Sequence, residues 1–181
     1  LEWSQQPQGV QRATWARKLS MVRQFARWMS VIEPRNEVPP HRLLDVRHRR
    51  SKPHIYSEEE ITRLMAEAAQ LRSSNGMKAL TMETLIGLLA ATGLRPGEAA
   101  ALEIGDVDLQ AQVLVIRESK FGKSRQVPIH PSTVVALKRY ARQRDQNFRN
   151  PSSAFFFVSN RGTALDLGTV RRWFCEISTA C

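Results

Sequence analysis

Cysteine is scarce in this sequence of 181 residues: there are only two, Cys175 and Cys181. Two cysteines cannot build a disulfide framework or a four-cysteine zinc site. The sequence also lacks an uninterrupted apolar run close to the roughly 20 residues that a membrane-spanning helix requires. These absences argue against a disulfide-stapled or membrane-embedded protein and predict a soluble protein of the cytoplasm with no membrane partner.

Acidic residues are in the minority as well. The 17 Asp and Glu stand against 27 Lys and Arg, which gives a net charge of +10. The excess is uneven, with +7 in residues 1–54 and +3 in residues 55–181. A strongly basic chain favours a polyanionic partner, and we expect nucleic acid before a membrane surface.

The basic first part contains one long amphipathic helix, predicted over residues 10–33. Its apolar positions recur at spacings of three and four residues, and they are Trp15, Leu19, Val22, Ala26 and Met29. Prolines follow the helix, and residues 45–54 have no apolar period, so we predict an interdomain linker there. The basic residues of helix and linker that we expect to contact nucleic acid are Arg12, Arg17, Lys18, Arg23, Arg27, Arg49, Arg50 and Lys52.

A second domain is predicted from residue 55 onward. Ser57 and Glu60 have the spacing of a capping box, and an apolar stripe after them predicts a helix over residues 58–71. Residues 77–92 are apolar on nearly all sides, which is typical of a buried central helix. β-rich runs around residues 113–116 and 126–129 predict a hairpin, and helical patterns resume after it. The predicted fold class is mainly α with a small antiparallel β-sheet.

One candidate site lies at the end of the apolar helix, in residues 91–98 (ATGLRPGE). Gly93 ends one helix and Pro96 suits the first turn of the next, so Arg95 is held by backbone on both sides. A guanidinium fixed in this way can offer two parallel donors to a phosphate. The alternative is a surface arginine that pairs with Glu98, three residues further on.

The second candidate is the hairpin, whose tip and flank carry Lys120, Lys123 and Arg125. Such a basic tip could enter a groove of a nucleic acid. A solvated β-edge that resists aggregation is the alternative explanation for the same charges.

Taken together, the two features resemble the tyrosine recombinase (phage integrase) family. In that family an arginine lies in a T-G-L-R-x-x-E turn, and a lysine follows on a hairpin of the form K-x-x-K-x-R. Residues 92–98 (TGLRPGE) and 120–129 (KFGKSRQVPI) match these motifs. The resemblance covers residues 55–181 and implies an incomplete catalytic domain. Residues 1–44 are similar in composition to the end of the family's helical core-binding domain.

The resemblance implies that Arg95 is the first of two catalytic arginines and that Lys120 is the general acid for the 5′ oxygen. It also implies DNA contacts by Lys123 and Arg125, a tyrosine nucleophile, and no requirement for a metal or another cofactor. The sequence has only Tyr56 and Tyr140, and neither stands where the family's nucleophile belongs. We interpret both as packing residues and expect the chain by itself not to cleave DNA.

The partner implied by the resemblance is double-stranded DNA, with four protomers on the DNA when the protein is full length. The expected location is the bacterial nucleoid, in a bacterial or phage protein that recombines or integrates DNA. One alternative is a non-catalytic DNA-binding module, either an integrase relic or a repressor. Another is a basic RNA-binding protein, although no aromatic RNA-binding sheet is evident.

Overall fold

The computed structural model describes residues 12–41, 43–44, 52–119, 123–148 and 153–179, with the backbone alone at residues 12, 13, 118, 119 and 123. The chain forms two compact units, Leu1–His54 and Ile55–Cys181. Among the described residues, no helix combines the length and apolar character needed to cross a bilayer.

The first unit is built on helix α1, Arg12–Ile32. Leu19 is buried on one side of it. The guanidinium of Arg23 donates to three carbonyl oxygens of the segment that follows the helix, those of Pro39 at 3.0 Å, Pro40 at 2.8 Å and His41 at 3.2 Å. Arg23 therefore fastens this proline-containing segment to α1.

A second apolar row on α1 differs from the predicted stripe. It recurs at helical spacing and is exposed to solvent; its members are Met21, Phe25, Trp28 and Ile32. The stripe predicted from the sequence is the row that contains Leu19, and its spacing is as regular as that of the exposed row. Periodicity alone does not distinguish a covered row from an exposed one.

Helix α3, Met77–Thr92, lies at the centre of the second unit. It contacts α2 (Glu58–Ala69), α5 (Pro131–Asn147) and α6 (Leu167–Ser178). Contact on several sides explains why the apolar residues of α3 surround the helix instead of forming one stripe. The predicted capping box of α2 is confirmed, because Ser57 Oγ accepts from Glu60 N and Glu60 Oε2 accepts from Ser57 N.

The sheet has three antiparallel strands in the order β1 (Val107–Asp108), β2 (Val113–Ser119) and β3 (Lys123–Pro128). Leu114 and Ile116 of β2 are buried and anchor the sheet on the core. The hairpin and the fold class are as predicted. Strand β1 was not predicted, because two residues are too few to show an alternating pattern.

Two other details are not evident from the local sequence. The apolar residues 155–158 form only isolated bridges, Glu103 with Phe155 and Val158 with Ala164, and no continuous strand. Arg144 lies on α5 among other arginines, where charge alone suggests a surface position, yet its side chain is 4% exposed. Its Nη1 donates to Phe156 O at 3.0 Å and its Nε donates to Asp145 Oδ1 at 2.8 Å. Arg144 therefore satisfies a buried carbonyl within the fold.

Candidate active site

The site begins at the turn between α3 and the short helix α4, Pro96–Ala100. Gly93 ends α3 in the left-handed conformation, with φ of 65°, and its N–H donates to Leu89 O at 2.9 Å. Glycine suits this position because side chains with a Cβ are disfavoured there. Leu94 then enters the core, and Arg95 takes an extended conformation as the N-cap of α4. The backbone of Arg95 is thus fixed on both sides.

Glu98 links the backbone and the side chain of Arg95. Its Oε2 accepts from Arg95 N at 3.0 Å, and its Oε1 accepts from Arg95 Nη1 at 2.9 Å. The side chain of Glu98 is 9% exposed, whereas that of Arg95 is 63% exposed. The carboxylate therefore lies beneath the guanidinium, which keeps most of its surface toward solvent.

Arg125 of β3 binds the same carboxylate. Its Nη1 donates to Glu98 Oε1 at 3.1 Å and its Nη2 donates to Oε2 at 2.8 Å, which is the bidentate geometry of a strong arginine–carboxylate pair. Glu98 thus accepts four hydrogen bonds. The turn that holds Arg95 and strand β3 of the basic hairpin thus meet at one carboxylate.

The electrostatics of this cluster are set by the pairing. The hydrogen bond from Arg125 is the main reason that the pKa of Glu98 falls from its ordinary 4.5 to about 2, with Arg95 contributing, while burial opposes the shift. The pKa of Arg125 is raised by the same contact. Glu98 is therefore ionised at neutral pH, and two guanidinium groups against one carboxylate leave the cluster with a net positive charge.

A buried carboxylate, that of Asp106, fixes the chain between α4 and the sheet. Asp106 Oδ2 accepts from Glu103 N at 3.1 Å, and Arg117 Nε of β2 donates to Oδ1. Asp108 Oδ1 accepts from the backbone of Gln110 and Ala111. Both aspartates thus hold the loops of this region by hydrogen bonds.

The predicted DNA contacts are distributed unevenly. Lys120 lies outside the described residues, as do Arg49 and Arg50. Arg12 is the first residue of α1 and Lys123 the first residue of β3, and the structure describes only the backbone of each. Arg17, Lys18, Arg27 and Lys52 are exposed, whereas the guanidinium of Arg23 is used within the protein. Contacts of these residues with DNA remain predictions.

Glu98 is the site residue whose role was underestimated from the sequence, where it was considered only as a competitor for Arg95. Its separation from Arg95 is that of a capping box, and this spacing was the available signal. The link to Arg125 could not be inferred, because the two residues are 27 positions apart.

Neither tyrosine that the structure describes is arranged as a nucleophile of this cluster. Tyr140 is fully buried, and its hydroxyl accepts from Val158 N at 2.9 Å, which confirms its packing role. Tyr56 stands edge-on to the Phe174 ring, with 6.5 Å between centroids. Within the described ranges, no group of three or more His, Cys, Asp or Glu side chains is placed to hold a metal.

Comparison with known families and proteins gives matches to integrases and recombinases. Residues 55–180 match the Phage integrase family. The chain is 41% identical to the putative integrase/recombinase y4rB of Sinorhizobium fredii, over 98% of this chain and 58% of that protein. It is 31% identical to the tyrosine recombinase XerD of Rhizobium meliloti, over 84% of this chain and 49% of that protein. The chain thus spans about half the length of these relatives.

Solved structures show the same fold. The XerH site-specific recombinase bound to its difH substrate aligns with a TM-score of 0.66 and 18% identity, over 95% of this chain and 49% of that one. A lambda integrase tetramer bound to a Holliday junction aligns with a TM-score of 0.58 and 18% identity, over 93% of this chain and 51% of that one. The mainly helical unit with its small antiparallel sheet is the architecture that they share.

Proposed function

This chain belongs to the phage integrase family of tyrosine recombinases, and from that premise we propose that it is the part of a site-specific recombinase that binds duplex DNA and presents Arg95 to the scissile phosphate. The observation that carries the proposal is the geometry of Arg95. Its backbone is fixed, one nitrogen of its guanidinium is held by Glu98, and most of its side chain is open to solvent. A preoriented cation of this kind is what a phosphoryl-transfer site requires.

The chemistry follows from where charge develops. When a tyrosine oxygen attacks the phosphorus, negative charge gathers on the non-bridging oxygens, and Arg95 stabilises it with oriented N–H donors. The P–O5′ bond then breaks, and Lys120 gives its proton to the departing oxygen. A 3′-phosphotyrosyl bond replaces the bond that was lost, so a free 5′ hydroxyl can later reverse the reaction.

The nucleophile belongs to the full-length protein. Tyr140 cannot serve, because its hydroxyl is buried and hydrogen-bonded in the core. The relatives are about twice as long as the matched region, which leaves room for the second arginine and the tyrosine in a longer protein.

The exposed basic residues of α1 and Lys52 hold the duplex by contacts with its phosphates, which add affinity without selecting a sequence. We also include in the proposal assembly on DNA as a tetramer, as the lambda integrase does in its Holliday-junction complex, and association with the bacterial nucleoid.

The decisive experiment uses the full-length protein and a nicked duplex from which the cleaved strand cannot be rejoined. Wild-type protein should accumulate a covalent protein–DNA complex on a denaturing gel. Arg95→Ala should reduce the rate of covalent-complex formation by about 1,000-fold or more, the scale of losing a principal charge-stabilising group. The affinity for the duplex should change little. Arg63→Ala, an exposed arginine of α2 outside the cluster, is the matched control and should cleave like wild type.

Two results would refute the proposal. Duplex binding without any covalent complex from the wild-type protein would favour the non-catalytic DNA-binding module. Equal cleavage rates for Arg95→Ala and wild type would remove Arg95 from the reaction.

A further inference from the structure

Arg125 is an unusual member of the basic hairpin because its guanidinium is paired with a carboxylate of the protein, although 41% of the side chain is exposed. Both terminal nitrogens are engaged by Glu98. Side chains alternate along a strand, so Arg125 shares a face of β3 with Val127, which packs against the core. Its partner across the hairpin is Ile116, which is buried. Arg125 thus approaches Glu98 from the core-facing side of the sheet.

The four hydrogen bonds that Glu98 accepts restrict how its carboxylate can bind the guanidinium of Arg95. Each carboxylate oxygen accepts one bond from Arg125 and one from Arg95, through the guanidinium at Oε1 and the backbone at Oε2. A carboxylate offers about four acceptor sites, so this one is fully occupied. Without Arg125, both oxygens could turn toward the Arg95 guanidinium and bind it bidentately. The donors that Arg95 presents to solvent would then be drawn inward.

Arg125 also sets the charge of the cluster. With it, the cluster is positive; without it, one guanidinium and one carboxylate cancel. In that case an anion approaching Arg95 would meet a neutral ion pair. Arg125 would thus affect the anion without contacting it. The same bond ties β3 to the arginine turn, and β3 follows directly after the segment that contains Lys120. The position of the hairpin relative to Arg95 therefore depends on it.

We propose that Arg125 is a positioning residue that acts on the scissile phosphate through Glu98 and Arg95, and not a direct contact to the DNA backbone. The inference rests on the proposed function, since it assigns a role within the same site. It replaces the phosphate contact expected for Arg125 from the hairpin motif.

The first test separates chemistry from binding in the full-length protein. With protein in excess over a nicked duplex, Arg125→Gln should lower the rate of covalent-complex formation about 100-fold, the scale of losing one oriented donor. Duplex affinity should change by less than about threefold, and the slope of log affinity against log salt should stay at the wild-type value. Arg125→Lys, which keeps the charge but not the fork, should recover part of the rate.

A direct phosphate contact predicts a different pattern. Affinity would fall on every duplex sequence, the salt slope would decrease by about one, and the rate at saturating protein would stay at the wild-type value. That pattern would overturn the inference, as would wild-type rates for both Arg125 variants. Arg63→Gln serves as the charge-matched control.

The second test needs no cleavage and uses the 181-residue chain. In an NMR titration, Arg125→Gln should raise the pKa of the Glu98 carboxyl group from its low value and shift the Nε–H resonance of Arg95, with the remaining amide spectrum preserved. Arg125→Lys provides the same readout if the glutamine variant is unfolded. An unchanged Arg95 resonance in a folded variant would overturn the inference, even if the wild-type protein cleaved no DNA and the proposed function failed.

Discussion

Two sets of arginines, one in each unit, are used in opposite ways. In the second unit, Arg95 and Arg125 share the carboxylate of Glu98, and Arg144 is enclosed by the core. In the first unit, Arg17 and Arg27 on α1 are exposed, and neither pairs with a carboxylate of the described residues. An arginine oriented by the protein can stabilise charge that develops at one point, because its position is fixed before the reaction. Exposed arginines instead supply affinity that adapts to a flexible phosphate backbone.

Arg23 shows that the contrast depends on the contacts and not on the unit. It lies on α1 among residues predicted to bind DNA, yet it donates to backbone carbonyls, as Arg144 does in the second unit. Both side chains hold a segment without regular structure against a helix. The comparison is therefore between arginines that the fold uses and arginines that it leaves available.

The largest effect is expected at Arg144. Arg144→Ala removes the donor to Phe156 O and the guanidinium that stacks 5.2 Å from the Phe156 ring centroid. We expect the free energy of unfolding to fall by about 3 kcal/mol, because a buried acceptor loses its partner and a cavity remains. Urea unfolding followed by far-ultraviolet circular dichroism measures this loss.

Arg142 provides the matched control for that prediction. It lies on the same helix two residues away and is exposed, so Arg142→Ala should change the free energy of unfolding by no more than about 0.5 kcal/mol. Similar losses for the two variants would contradict the division between arginines that the fold uses and those that it leaves available.

A smaller effect is expected from the acid titration of Glu98. Its pKa is depressed to about 2, so the ionised carboxylate stabilises the folded state above its ordinary pKa of 4.5. That contribution is lost as the pH falls through 4.5 toward 2. Near neutral pH, wild type should exceed Glu98→Gln in stability by about 1–2 kcal/mol, allowing for solvent screening at the exposed arginines.

The pH dependence of the difference is the informative quantity, because other carboxyl groups titrate in both proteins. Unfolding in urea at a series of pH values should show the gap between wild type and Glu98→Gln closing as the pH is lowered toward 2. A gap that stayed constant with pH would show that the pKa of Glu98 is the same in the folded and unfolded states.

Local patterns in the sequence predicted the elements well. The capping spacing of Ser57 and Glu60 located the start of α2, and the glycine at position 93 located the end of α3. These features depend on neighbours within one turn of helix, so the sequence contains the required information. The T-G-L-R-x-x-E motif located Arg95 for the same reason.

Contacts between distant segments could not be predicted in this way. Nothing near Arg144 indicates that it reaches Phe156, and nothing near Arg125 indicates that it reaches Glu98. Both arginines occur in sequences rich in exposed cations, where charge suggests a surface position. Only the packing of the sheet and α5 against the rest of the unit shows that both guanidinium groups are hydrogen-bonded within the protein.

The smallest effect is expected on α1, where the comparison can be made within one helix. Arg27→Gln should weaken binding to any duplex a few-fold and reduce the salt slope by about one, the result for one phosphate contact. Arg23→Gln should leave the slope close to the wild-type value, because its guanidinium is occupied by the carbonyls of residues 39–41. Electrophoretic titrations of the 181-residue chain at several salt concentrations measure both slopes. If Arg23→Gln lowered the slope as much as Arg27→Gln, these carbonyl contacts would have to yield to phosphate on binding, and α1 would present one continuous basic face to the DNA.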